Sequence, residues 1–206
     1  MSIVKKFPLL VILSTTLISQ AFATDMPTNT ELKKHSFGAH LSAGGAEYKN
    51  INNNSNDGVV QIYSYYNYAV TQHFSLELGL NFGADSESWD CHETYNDNWH
   101  CSTNNNNLFG LRLDEIEYSN LVVAVKGKLP LSERNSLYGK IGAQYYDYDI
   151  NRQNHTIIHD SDIGLYLAAG WQYQWDMGIG MDVGYEAIDM GDLDTYTLNI
   201  GMSYQF

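Results

Sequence analysis

Five sets of residues have the types and spacing to do chemistry. Cys91-His92 and His100-Cys101 bring two thiols and two imidazoles together across a short loop. That ligand set suits a tetrahedral metal, and the same two cysteines could instead close a disulfide, the form favoured in an exported chain. His73-Phe74-Ser75 places a base two residues from a hydroxyl nucleophile. Asp160-Ser161-Asp162 beside His159, and Asp192-Leu193-Asp194, gather carboxylates suited to acid–base work or to a divalent cation. His92, His100, His155 and His159 form a looser set that could share a metal between loops. The fifth set, Glu77, Lys126, Lys128, Lys140, Asp182 and Glu186, is scattered along the chain and acquires meaning only from the elements that carry it.

Those elements read as strands. From Thr197 to Phe206 apolar and polar side chains alternate strictly, so Leu198, Ile200, Met202, Tyr204 and Phe206 share one face and Thr197, Asn199, Gly201, Ser203 and Gln205 the other. The same period of two recurs over Ser36 to Tyr48, Val59 to Val70, Phe74 to Gly83, Glu115 to Leu129, Ser136 to Asp149, Asp162 to Trp175 and Ile179 to Ile188. Phe74, Leu76, Leu78, Leu80 and Phe82 oppose Ser75, Glu77, Gly79, Asn81 and Gly83, whereas Val59 to Val70 is rich in Tyr on both faces and leaves its facing open. Glu47 falls in the apolar phase of its strand, which implies a bulge or an exit from the apolar zone before it. Short connections at Thr71, Pro130 and Asp176 alternate with longer ones expected near Asn50, Asp85 to Asp114, Ile150 to Ser161 and Asp189 to Leu193. The stretch from Asp85 to Asp114, holding Trp89 and Trp99, reads as the longest irregular segment.

Met1 to Ala23 has Lys5 and Lys6, an apolar run from Phe7 to Ile18 and Ala21-Phe22-Ala23, the layout of a secretory signal. Thr24 to Lys34 then reads as a short polar lead. Removing the signal takes away two lysines, so the net charge of −13 becomes −15. An exported, acidic chain argues against a nucleic-acid partner. After Ala23 no apolar run approaches the roughly 18 residues of a spanning helix, so any membrane crossing must use strands.

Eight strands of this length can cross a bilayer when tilted. The face opposite the apolar one is rich in Gly, Ala and Ser and poor in Lys and Glu, which suits a narrow interior better than a wetted exterior. Trp171, Tyr173, Trp175, Tyr145 and Tyr204 lie near strand ends, where an interfacial aromatic belt would sit. The alternative is a secreted soluble barrel of the lipocalin kind with its apolar face inside. In the membrane reading Glu77, Lys126, Lys128, Lys140, Asp182 and Glu186 point into the lumen, where the three lysines are expected to meet Glu77 and Asp182. Such a network reads as a structural plug, with a proton or ion path as the alternative.

The segment Lys128-Leu-Pro-Leu-Ser-Glu-Arg-Asn-Ser-Leu-Tyr-Gly-Lys-Ile-Gly-Ala143, the Gly170-Trp171-Gln-Tyr-Gln segment and the terminal strand ending at Phe206 resemble the eight-stranded outer-membrane barrels of the OmpA-like transmembrane type. The resemblance covers Ser36 to Phe206 and implies an all-β, antiparallel up-and-down barrel with both termini in the periplasm. It also implies insertion by the outer-membrane assembly machinery, which would read Leu198 to Phe206, and contact with lipopolysaccharide. A peptidoglycan-binding domain is not implied. His73-Phe-Ser75 resembles the pair of an outer-membrane lipid A deacylase, but its expected place in a periplasmic turn is remote from outer-leaflet acyl chains. The acidic pairs resemble the rim of omptin-type proteases, which have more strands. No catalytic, cofactor or resident metal site is therefore expected. The function expected is surface interaction through the loops, adhesion or colonisation in type, with Trp89 and Trp99 as loop contacts. The alternative is a structural or narrow-pore barrel, and an enzyme acting on lipid A or peptides ranks last.

Overall fold

The computed structural model describes residues 33–49, 57–86, 89–94, 98–103, 115–152 and 155–206. The signal, most of the polar lead and the run Asn104 to Asn107 lie outside the described residues. Ten strands follow in order: β1 (His35–Tyr48), β2 (Asp57–Ala69), β3 (Phe74–Asp85), β4 (Trp89–Thr94), β5 (Asn98–Thr103), β6 (Glu115–Pro130), β7 (Asn135–Arg152), β8 (His155–Gln174), β9 (Ile179–Met190) and β10 (Leu193–Gln205). Eight close into one antiparallel barrel in the order β1-β10-β9-β8-β7-β6-β3-β2, while β4 and β5 pair as a separate hairpin between β3 and β6. Closure leaves no strand edge unpaired, which a barrel in hydrocarbon requires.

The turns at 70–73, 131–134 and 175–178 gather at one end with both ends of the barrel sheet, where Phe206 N donates to His35 O at 2.9 Å and Gln205 N to Gly178 O at 2.8 Å. We call this the turn end and its opposite the loop end. The sequence reading is corrected at three places on the loop end. Within Asp85 to Asp114 lies the β4–β5 hairpin rather than wholly irregular chain. Of Ile150 to Ser161, read as a polar loop, Ile150 to Arg152 and His155 to Ser161 are strand: β7 and β8 pair as far as Arg152 opposite His155, with a register shift after Ile150. Asp189 to Leu193 is a tight turn made by Gly191, whose φ of 72° a side chain would strain. At Glu47, where a bulge or an exit from the apolar zone was expected, it is the exit: the register of β1 with β10 is unbroken to Tyr48, and Glu47 points outward near the loop end.

Strand parity holds along each wall, but what it separates changes with height. Through the middle of the barrel the outward residues are apolar and exposed, Leu78 at 51%, Leu167 at 39% and Ile200 at 59% among them, and the inward ones are polar or small. Towards the loop end the assignment reverses. There Ile116, Tyr118, Tyr148, Ile150, Met190 and Leu193 face inward and are buried, while Glu47, Glu115, Glu117, Asp147, Asp149 and Asp189 face outward. The register does not slip; the surrounding solvent changes. Trp171, Tyr173 and Trp175 form one contacting row outside the turn end, with Tyr204 stacked on Phe206 nearby. Strand β2 turns Tyr63 and Tyr65 inward and Tyr66 and Tyr68 outward, resolving the facing that its sequence left open.

Candidate functional site

The lumen is filled at mid-height by two polar clusters. Glu77 on β3 accepts from Lys140 Nζ at 2.7 Å and from the Tyr63 hydroxyl at 2.8 Å, with both charged side chains shut off from solvent. Glu186 on β9 accepts from the Tyr166 hydroxyl at 2.7 Å, from Gln61 Nε2 at 2.8 Å and from Ser42 Oγ at 3.3 Å. His40 Nε2 lies 2.8 Å from the same carboxylate, close enough for an ion pair but not aligned as a hydrogen bond. Tyr63 stacks on both His40 and Tyr166, so one aromatic slab joins the clusters. Glycine makes the room: a Cβ at Gly79 would fall 2.1 Å from the Tyr63 hydroxyl.

The residues expected in the network thus divide. Lys140 and Glu77 come together; Lys126 instead donates to Gln172 Oε1 at 3.2 Å and sits over the Tyr138 ring at 4.7 Å. Asp182 accepts weakly from the Tyr65 hydroxyl at 3.4 Å, and Lys128 lies half-buried towards the turn end. Sequence reasoning set Glu186 among the charges but missed His40, Tyr63 and Tyr166. His40 and Tyr166 share the inward parity of β1 and β8, a signal that was available; Tyr63 was hidden by the two-faced Tyr content of β2.

The loop end is sealed and acidic. Ile116, Ile150, Met190 and Leu193 leave essentially no exposed surface. Around them Asp85, Asp160, Asp162, Asp192 and Asp194 add to the outward acids of β1, β6, β7 and β9. Burial, then the Glu117 and Asp85 carboxylates, push Glu115 above its usual range. Lys49 clamps the β9–β10 turn with Asp189 at 3.1 Å and Asp194 at 2.9 Å. Burial works against its charge, but those two carboxylates outweigh it and raise the ammonium above its ordinary value.

His159 lies 2.9 Å from Asp149 and 4.0 Å from Asp147, and one donor atom of each lies within 4.8 Å of the others. On the hairpin Cys91 pairs with Cys101 and His92 with His100. The side chains of this hairpin, the candidate four-ligand set among them, lie outside the described residues. His73 sits in a turn and Ser75 is the second residue of β3, at the turn end. Leu198, Ile200, Met202, Tyr204 and Phe206 all face outward and are more than half exposed.

The outer membrane protein beta-barrel domain matches residues 9–206, nearly the whole chain. The chain belongs to the outer membrane β-barrel family. Solved barrels agree with that membership. Neisserial surface protein A is 10% identical, with a TM-score of 0.59 over 84% of this chain and 97% of that one. Ail, the attachment invasion locus protein of Yersinia pestis, is 16% identical, with a TM-score of 0.50 over 84% and 98%. A second Ail structure, in complex with the heparin analogue sucrose octasulfate, gives a TM-score of 0.51 over the same shares at 16% identity. At these identities the likeness is one of fold. A comparison with curated proteins finds no match. As an outer membrane β-barrel, the chain meets lipid through its apolar middle band.

Proposed function

We propose that this protein is a non-catalytic surface-interaction barrel, with the turn end and both termini in the periplasm and the loop end outside the cell. One observation carries the reading: the lumen is plugged while β7 and β8, of 18 and 20 residues, extend the sealed wall beyond the apolar band. A barrel built to conduct would not fill its middle with paired charges and its end with Ile, Met and Leu. A barrel built to present a surface gains from a rigid, projecting one. The name of Ail, attachment and invasion, supports a role of this kind. Its complex with a heparin analogue does not transfer, because the acidic loop end here would repel a polyanion and favours a cationic or cation-bridged partner. Lipopolysaccharide is reached in the same way, through divalent cations on the rim, and the assembly machinery reads the terminal strand.

The β4–β5 hairpin, with Trp89 and Trp99, is the contact element of this proposal. Replacing residues 89–103 by a short Gly-Ser turn should abolish adhesion to cells or matrix while heat-modifiable gel migration shows a folded barrel. Unchanged adhesion by that variant would count against the hairpin. The narrow-pore alternative predicts ion conductance in planar bilayers, whereas the plugged lumen predicts none.

A further inference from the structure

At the turn end the lumen opens into a cavity of about 90 Å³, and its wall differs from the rest of this acidic molecule. Lys33, Lys34, Lys126 and Lys128 line it, and no Asp or Glu does. Among the described residues none of these four lysines has a carboxylate within 4.0 Å, since Glu77 is held by Lys140. Lys126 is buried at 8% exposure with a neutral amide, Gln172, as its hydrogen-bond partner. Asn67, 5% exposed in the same wall, has a side-chain oxygen with no partner. The two ends of an Asn amide are exchangeable, so turning it offers an N–H donor to the cavity. Two ammonium groups within the wall, Lys126 and Lys128, and two at its exposed mouth, Lys33 and Lys34, with amide and hydroxyl donors between them, focus a positive potential into the recess. Of the four only Lys126 is buried and Lys128 half-buried, while Lys33 and Lys34 stand exposed at the mouth. Glu77 and Asp182 act on the Lys126 charge from the lumen side without contacting it, and an anion bound in the recess would offset the rest of its burial cost.

We propose that this vestibule binds a small phosphoryl-type oxyanion from the compartment onto which the turn end opens. Its size admits a single compact group, and its mixture of ammonium and amide donors fits three or four oxygens on one centre.

The test is calorimetric titration of inorganic phosphate into the full chain folded in an uncharged detergent, with ionic strength fixed by chloride. The expected result is a saturable heat that Lys128→Gln weakens roughly tenfold or more and Lys49→Gln, at the opposite end, leaves unchanged. Lys126→Gln should weaken it further; because that side chain is buried, heat-modifiable migration must first show it folded, and Lys128→Gln at the mouth decides the matter if it is not. No saturable heat, an equal heat from chloride, or the same loss from Lys49→Gln would overturn the assignment. Repeating the titration in phosphatidylcholine discs with and without phosphatidylglycerol separates the sources. Weaker phosphate binding beside the anionic lipid assigns the site to a lipid headgroup, and unchanged binding assigns it to a free anion.

Discussion

Lys140 and Glu77 sit 2.7 Å apart with both side chains buried, so removing one strands the other. Lys140→Ala should lower stability by about 3–5 kcal/mol, measured by urea unfolding in micelles, because a buried charge is left uncompensated. The double change Lys140→Met with Glu77→Leu should recover most of that loss; a double variant as unstable as the single one would show that the carboxylate is not stranded by the first. On the outer wall Leu78 lies midway along the apolar row of β3. Leu78→Arg should destabilise the inserted barrel by roughly 2–4 kcal/mol, whereas an arginine at Glu47, above the band, should insert normally. At this scale the sequence told which charges face inward, because parity alone decides that. It did not tell their partners: Lys126 finds Gln172 rather than a carboxylate, a matter of cross-barrel distance that a linear pattern does not encode.

Strands in the apolar band were legible because greasy and small residues alternate there, as from Phe74 to Phe82. The extensions of β7 and β8 beyond Asp149 were not, since from Ile150 to Ser161 the alternation lapses into a run of Asn, Arg, Gln, His and Thr that reads as a polar loop. The β4–β5 hairpin was missed for a similar reason: Trp, Cys and His at its paired positions give no apolar face to count. Its register sets Cys91 directly opposite Cys101, and facing cross-strand positions have the Cα separation that a disulfide spans. We expect that bond to be closed in the exported protein. Iodoacetamide should label the cysteines only after reduction, and labelling of the unreduced protein would contradict it. Losing the bond should loosen the hairpin by up to about 3 kcal/mol in the chain-entropy view, leaving the barrel itself folded.

The barrel is one closed sheet standing in two solvents. In the band, hydrocarbon meets Leu, Ile and Val, and polar groups retreat inside; beyond the loop end, water meets Asp and Glu, and Ile, Tyr and Met retreat inside. This charge distribution also gives the molecule a direction, acidic at the loop end and basic at the turn-end mouth. Attachment to a cationic partner should therefore weaken as pH falls through the carboxylate range. Glu115, already held above its usual value, should be among the first to lose its charge, and binding that strengthens on acidification would argue for a different surface. All of this depends on lipid being what the middle band touches. Nuclear magnetic resonance of methyl-labelled protein in lipid discs tests it, with a nitroxide near the acyl-chain terminus in one sample and a water-soluble gadolinium chelate in another. The account predicts that the Leu78, Leu167 and Ile200 methyls broaden with the nitroxide and not with the chelate. Broadening by the chelate, or protection from both, would contradict it.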